Sequence, residues 1–449
     1  MSVIKRTLLA TTLLIAVFTA LLNQTVMITA LPVIMHQFQI NLSSAQWLTT
    51  GYVLILGIVT PISAILYQRF STRKLFITLI SGFIIATTLG LLATNYAILL
   101  LARLLQAVMG GVLMTFSQIT LISLFPASKR GTILGLFSMV ISAGPAIGPT
   151  FAGVLLNTFT WRSLFTVVLV IMVIVLIIGI LALPNVTTGK AVNIDWLSVG
   201  LSFIGMGITL IGINDLQTMP GKAVIIIALG LLLLGWFVQR QLTSQTSLLN
   251  IRLFTNQTFT RMTLIVMLTF AIMMGTETIL PLLLETHVHL SSMAAGLIML
   301  PGALANLVLA PIVGHWYDRY GLRKLLPIGL LILTISLIPF LFVTTQTPIW
   351  LVMLAYFIRM AGCAIITSVT VSAALAGFNA DSLSHATALN NTVRQVAGSL
   401  GNTLMVWALS FGAHFNTGFR FAILLTLLAT LGIIVITIIH LRSMPHSNN

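Results

Sequence analysis

The sequence predicts an all-α polytopic membrane protein of fourteen transmembrane helices. Three observations predict it: a near absence of charge, a succession of long apolar runs, and an internal repeat 250 residues apart. Of the 449 residues, 58% are hydrophobic and only 6% charged, whereas a soluble domain carries about a quarter charged residues. So few charges cannot dress a water-facing surface of this size. Lipid must be the solvent for most of the chain.

The apolar runs justify the elements in order. A spanning helix needs roughly 20 mainly apolar residues. Fourteen stretches supply them: 7–30, 47–66, 75–94, 97–120, 131–155, 163–183, 196–214, 223–239, 262–284, 294–313, 325–344, 349–371, 392–412 and 419–440. Lys5 and Arg6 ahead of the first run look like the start of a secretory signal. That run exceeds twenty residues and thirteen more follow, so it reads as the first span.

Charge orients the loops. There are 21 Lys+Arg against 6 Asp+Glu, a formal net charge of +15. The basic residues sit singly or in small groups between apolar runs, without the basic and aromatic stripe that nucleic acid needs. Arg162, Lys222 and Arg420 fall on one side of the membrane; Arg103 and Arg359 fall inside spans; the other sixteen, Arg394 among them, fall on the side of the N-terminus. The positive-inside rule makes that side cytoplasmic and puts both termini there.

The repeat divides the chain. After the second span stands Gln68-Arg69-Phe70-Ser71-Thr72-Arg73-Lys74; after the tenth stands Asp318-Arg319-Tyr320-Gly321-Leu322-Arg323-Lys324. Each copy has a membrane arginine two spans later, Arg103 and Arg359. The expected domains are a six-helix bundle at 1–184, two additional helices at 185–258 and a second six-helix bundle at 259–449. Parallel repeats of this kind place a transporter's substrate site at the repeat interface.

Three motifs carry chemistry. Gly314, Asp318, Arg319, Gly321, Arg323 and Lys324 form a turn with charges able to latch neighbouring helix ends. In the fifth span Gly144, Gly148 and Ala152 make a bare stripe, followed by Gly153, with Pro145 and Pro149 as a second four-residue pair. In the fourth, Arg103 and Gln106 open a run that ends on Gly110 and Gly111; an arginine there must find partners or water. On these residues the chain resembles the major facilitator superfamily, and within it the fourteen-span drug:proton antiporters, over essentially its whole length. The polar start of the thirteenth span, Asn390-Asn391-Thr392-Val393-Arg394-Gln395, resembles that subgroup in particular.

The resemblance implies the major facilitator fold and proton-coupled efflux of small lipophilic compounds by alternating access, with antibiotic resistance as a consequence. It also implies a conformational latch at Gly314–Lys324, a helix seal at Gly144–Gly153 and a proton role for Arg103. The expected partners are small lipophilic substrates, protons and the bilayer of the cell membrane, with no nucleic acid, no metal and no cofactor, and the chain is expected to be a monomer. The sequence departs from the family pattern at Gln68, Ser71 and Ala107, and at Asn23, where an acid is usual. An amide does not titrate, so a proton must be carried elsewhere. Of the six acids only Glu277 lies well inside a span, with Arg359 as a possible partner and a fixed Glu277–Arg359 ion pair or direct substrate contact as alternatives. Asn23, Gln24, Gln106 and Glu277 are the expected cavity residues.

Rival classes fare worse. No phosphate loop, nucleophile elbow or metal constellation marks an enzyme. His287 and His289 lack a third ligand nearby, and the lone Cys363 reads as packing. Export of one endogenous metabolite, lipid or peptide, or uniport without protons, stays open.

Overall fold

The structure is a computed structural model and describes residues 3–183, 189, 195–215, 219–243, 249–284, 288–290, 292–343, 347–412 and 415–443. The long elements within them are all helices: α1 (Val3–Phe38), α2 (Leu42–Val59), α3 (Ile62–Arg69), α4 (Thr72–Leu91), α5 (Tyr96–Leu124), α6 (Arg130–Thr158), α7 (Arg162–Ala182), α8 (Trp196–Asp215), α9 (Pro220–Thr243), α10 (Gln257–Leu282), α11 (Ser292–Leu341), α12 (Ile349–Leu375), α13 (Ala380–Ser410) and α14 (Phe415–Ser443). Lipid offers the backbone no hydrogen bonds, so helices that satisfy their own groups are the expected result.

Ten of these helices are long and apolar enough to cross a membrane, or eleven if the bent α2/α3 pair is one crossing. That pair turns by 55° at Thr60–Pro61, where proline removes a donor and breaks the ladder. Asparagines stop the fraying of several starts: the side chains of Asn41, Asn95, Asn256 and Asn379 each accept a backbone N–H three residues on.

α11 is two helical stretches joined at Gly321, whose φ of 70° and ψ of 179° no side chain tolerates well. In the first stretch Gly302 meets Tyr356 and Ala310 meets Ser368; in the second Gly329 meets Ile365 and Leu333 meets Gly362. The first therefore runs parallel to α12 and the second antiparallel, so the chain reverses at Gly321.

Helices α1–α7 pack around Leu13, Val17, Phe76, Phe83, Phe116 and Phe137. Helices α10–α14 pack around Phe259, Met262, Leu326, Leu333, Tyr356 and Met360. Helix α8 touches both groups, through α2 and α13, with Ile58 seated among Met206, Leu210 and Ile213. Helix α9 leans on α8 and turns Ile225 and Leu232 outward, 70% and 72% exposed, as a lipid-facing helix does. Their hairpin is clamped by Arg240, which donates to both oxygens of Asp195 at 2.7 and 3.1 Å. The Ser198 hydroxyl donates to the same carboxylate at 2.6 Å. These bonds hold the Asp195 carboxyl down to about 2.

Both ends of the described chain lie at one end of the bundle. Arg6 lies over Phe125, next to the start of α6; that start meets Asp318; and Arg261, early in α10, bonds Ser443 at the end of α14. This end is called the terminal end below.

Two sequence expectations are corrected here. Arg394 is no loop residue: α13 begins at Ala380, not at 392, and Arg394 lies inside it, 4% exposed. Polar residues at the start of α13 lower its hydropathy and hide its first twelve residues, 380–391, from an apolar-run search, yet the buried face is where those residues are needed. The second span, expected as one run over 47–66, is instead a bent pair of helices that extends to Arg69.

Candidate functional site

In the α1–α7 half the site is built from four helices around a buried guanidinium. Arg103 on α5 donates from Nε to the Leu48 carbonyl at 3.2 Å and from Nη1 to Gln106 Oε1 at 3.0 Å. Its charge lies over the Tyr52 ring, 4.3 Å from the centroid. The Asn23 amide on α1 donates to the same Gln106 oxygen at 3.0 Å. Gln106 in turn donates to Thr87 on α4 at 2.9 Å, and the Tyr52 hydroxyl donates to the Ala20 carbonyl at 3.0 Å. Asn23, Arg103 and Gln106 are essentially inaccessible. Two expected cavity residues are therefore sealed in a network around that guanidinium that pins helices together, while Gln24 beside them is half-buried.

The equivalent place in the other half is built differently. Arg359 on α12 is fully buried over the Phe340 ring at 5.4 Å, and none of its three nitrogens has a hydrogen-bond partner. Tyr356 and Cys363, one turn away on either side of Arg359, lie within electrostatic range of both Arg359 and Glu277. The half-buried Glu277 makes no hydrogen bond and no ion pair among the described residues. The structure thus gathers Glu277, Tyr356, Arg359 and Cys363 without pairing the two charges. Cys363 is packed at 0% exposure. His287 and Glu285 lie outside the described residues.

The halves meet at the terminal end. Asp318 accepts from the backbone N–H of Gly131 and of Thr132, both at 2.8 Å, and from the Thr132 hydroxyl at 2.7 Å. A carboxylate from α11 thereby caps the start of α6, satisfying two orphan donors and the helix dipole together. Arg319 and Lys324 instead lie over Tyr320, at 5.3 and 6.0 Å, and Arg323 is exposed. In the other copy Gln68 donates to Ser384 at 3.1 Å and sits 2.9 Å from His385 Nε2, a contact from α3 to the second turn of α13. Deeper in, the Asn391 amide donates to Gln118 at 2.9 Å and to Thr115 at 3.3 Å.

Helix α6 packs through glycine at both ends. A methyl on Gly144 would press on Leu21 and Leu22 of α1, and one on Gly148 would strike the Thr25 hydroxyl. Thr25 also donates to the Gly144 carbonyl at 3.4 Å. Gly153 has open space and takes no part; the side chains of Pro145 and Pro149 lie outside the described residues. At the terminal end Gly131 and Gly135 lie against Gly314, Ala310 and Pro311 of α11. The sequence reading missed Gly135 and the seam it makes, although the four-residue spacing from Gly131 is visible. It also missed the partnership of Asn391 with Gln118, which no spacing reveals because the residues are 273 apart.

Comparison with known proteins bears on this arrangement. The chain is 38% identical over 416 residues to an uncharacterized MFS-type transporter, YcnB, of Bacillus subtilis, covering 92% of this chain and 88% of that one. It is 32% identical over 407 residues to the lincomycin resistance protein LmrB of the same organism, covering 90% and 85%. The solved proton:xylose symporter XylE superposes with a TM-score of 0.66 at 15% identity, covering 96% of this chain and 95% of that one, which speaks for the fold alone. The family description "Major Facilitator Superfamily" matches residues 13–402. A polytopic helical membrane protein with these relatives over nearly its whole length is a transporter rather than an enzyme, and it belongs to the major facilitator superfamily.

Proposed function

We propose that the chain is a proton-coupled exporter of small lipophilic compounds, working by alternating access across the cell membrane with both termini in the cytoplasm. The observation that carries this reading is Glu277. Among the described residues it is the one carboxylate deep inside a helix bundle, half-buried and unbonded, with Tyr356 beside it and Arg359 one turn further on. A carboxyl so placed can gain and lose a proton as the surroundings open and close, with Arg359 as counter-charge when Glu277 ionises. The name of LmrB supports drug-like cargo. The fourteen-span drug:proton antiporters are the subgroup proposed: to the ten apolar helices this adds the bent pair, α6, α13 and the second stretch of α11.

In this reading the halves are 1–184 and 259–449, and Asp318 latches the terminal end shut while cargo leaves by the other side. The Gly144–Gly148 seam seals the outer part of α6 against α1. The test is transport by the purified protein in proteoliposomes under an imposed pH gradient, with lincomycin and ethidium as cargo. Uphill export that stops on adding a protonophore is expected. Saturable transport indifferent to the gradient would replace this reading with uniport of a specific metabolite. Asn23 favours that second reading, because the α1–α7 half holds an amide where the family has an acid.

A further inference from the structure

Among the described residues three arginines lie buried within the helices, and they differ in what meets them. Arg103 has a carbonyl, an amide oxygen and a tyrosine face. Arg359 has Phe340 above it and shares neighbours with Glu277. Arg394 has the Phe270 ring of α10 at 5.3 Å. Its Nε is enclosed without an acceptor, and among the described residues no carbonyl, hydroxyl or carboxylate accepts from its terminal nitrogens.

The surroundings of Arg394 combine polar and apolar groups at depth. Arg394 is 14 residues into α13 and Phe270 is 13 residues into α10, each roughly 20 Å from the terminal end at 1.5 Å per residue. Asn390 and Asn391 share its helix face, at four and three residues' spacing, and both side-chain oxygens lack donors. Toward the terminal end the seam between the halves is closed by Asn391 on Gln118 and by Gln68 on Ser384. The site therefore sits at the inner edge of the seam, at mid-depth. A guanidinium kept there without a counter-charge is costly, and such residues mark the route of a ligand.

We infer that Arg394 recognises an anionic oxygen, such as a carboxylate, on an amphiphilic cargo. The cargo's apolar part lies against Phe270, and the amide oxygens of Asn390 and Asn391 accept from a hydroxyl or N–H of the same molecule. The guanidinium fork matches a carboxylate with two parallel bonds. The inference rests on the export reading for the word cargo, but its test is binding alone.

The probe is 3-hydroxy-2-naphthoate, which carries a carboxylate, a hydroxyl and an apolar ring pair; its methyl ester is the uncharged control. Thermal unfolding of the full chain in detergent micelles should shift upward with the acid, saturably, and not with the ester. Arg394→Gln should abolish the shift, and Arg394→Lys should keep a weaker one with at least a tenfold higher half-saturating concentration. An equal shift with the ester, a shift that survives Arg394→Gln, or no shift in the unaltered protein overturns the inference. Should Arg394→Gln fail to fold, photo-crosslinking of the unaltered protein with an azido derivative of the acid decides. Label on α10 or α13 beside Phe270 and Arg394 supports the site; label confined to other helices refutes it. Binding through Arg394 without uphill movement of the acid in proteoliposomes would keep this site and remove the export reading.

Discussion

Asn23 and Glu277 each stand 20 residues past the start of the first helix of their half, and only one of them can titrate. Glu277→Gln keeps shape and removes the proton, so gradient-driven export should be lost while membrane insertion persists. Proteoliposome transport with and without a pH gradient checks this; unchanged uphill pumping would clear Glu277 of the role. Gly148 gives a second prediction. Even a methyl there meets Thr25, so Gly148→Leu should cost about 1–3 kcal/mol and leave an inserted protein that leaks or stalls, read by thermal unfolding and by efflux. Gly153→Leu, in open space, should do neither. Both glycines stood in the same motif, and the sequence could not separate them, because only the position of α1 decides which one is crowded. Arg103 and Gln106 were readable as a pair on one helix face, whereas Leu48, Thr87 and Asn23 reach them from three other helices.

Helix starts and seams belong to the next scale. Asp318 makes three bonds to the first turn of α6. Asp318→Asn leaves an amide N–H facing backbone N–H groups and should weaken the closed terminal end by roughly 1.5–3 kcal/mol. Transport should slow while binding of cargo, measured by equilibrium titration, stays nearly intact; lost binding at unchanged turnover would argue against a latch. Asp195 clamps the α8–α9 hairpin. Its folded carboxyl is held below the usual range by Arg240, so its contribution is present above about pH 4 and fades as pH falls toward 2. Asp195→Asn should therefore lower the unfolding temperature at neutral pH by an amount that shrinks in acid. Apolar runs made most helices legible, since a spanning helix has to be apolar where it meets lipid. Only the first turns of α13 escaped, because its polar face is turned inward, and the bend of the second span, because a proline breaks an unbroken apolar run.

The whole molecule is organised by the repeat. Reporter fusions after residues 190 and 449 should both read cytoplasmic, and an outside signal from either would refute the proposed orientation. The 250-residue repeat announced two similar halves, yet the halves have diverged in what they hold: a guanidinium bonded to a carbonyl and an amide on one side, an unbonded guanidinium and an unbonded carboxyl on the other. Divergence of this kind cannot be read from matched motifs, because it lies in partners drawn from different helices. One further consequence follows from helix α8, which rests on α2 in one half and α13 in the other and carries α9 out into the lipid. In the proposed alternating-access cycle, this pair has to slide over at least one half and sweep α9 sideways through the acyl chains. Turnover should then carry the friction of the bilayer as well as the protein's own barrier, slowing in stiffer lipid even where cargo affinity and the driving gradient are held constant.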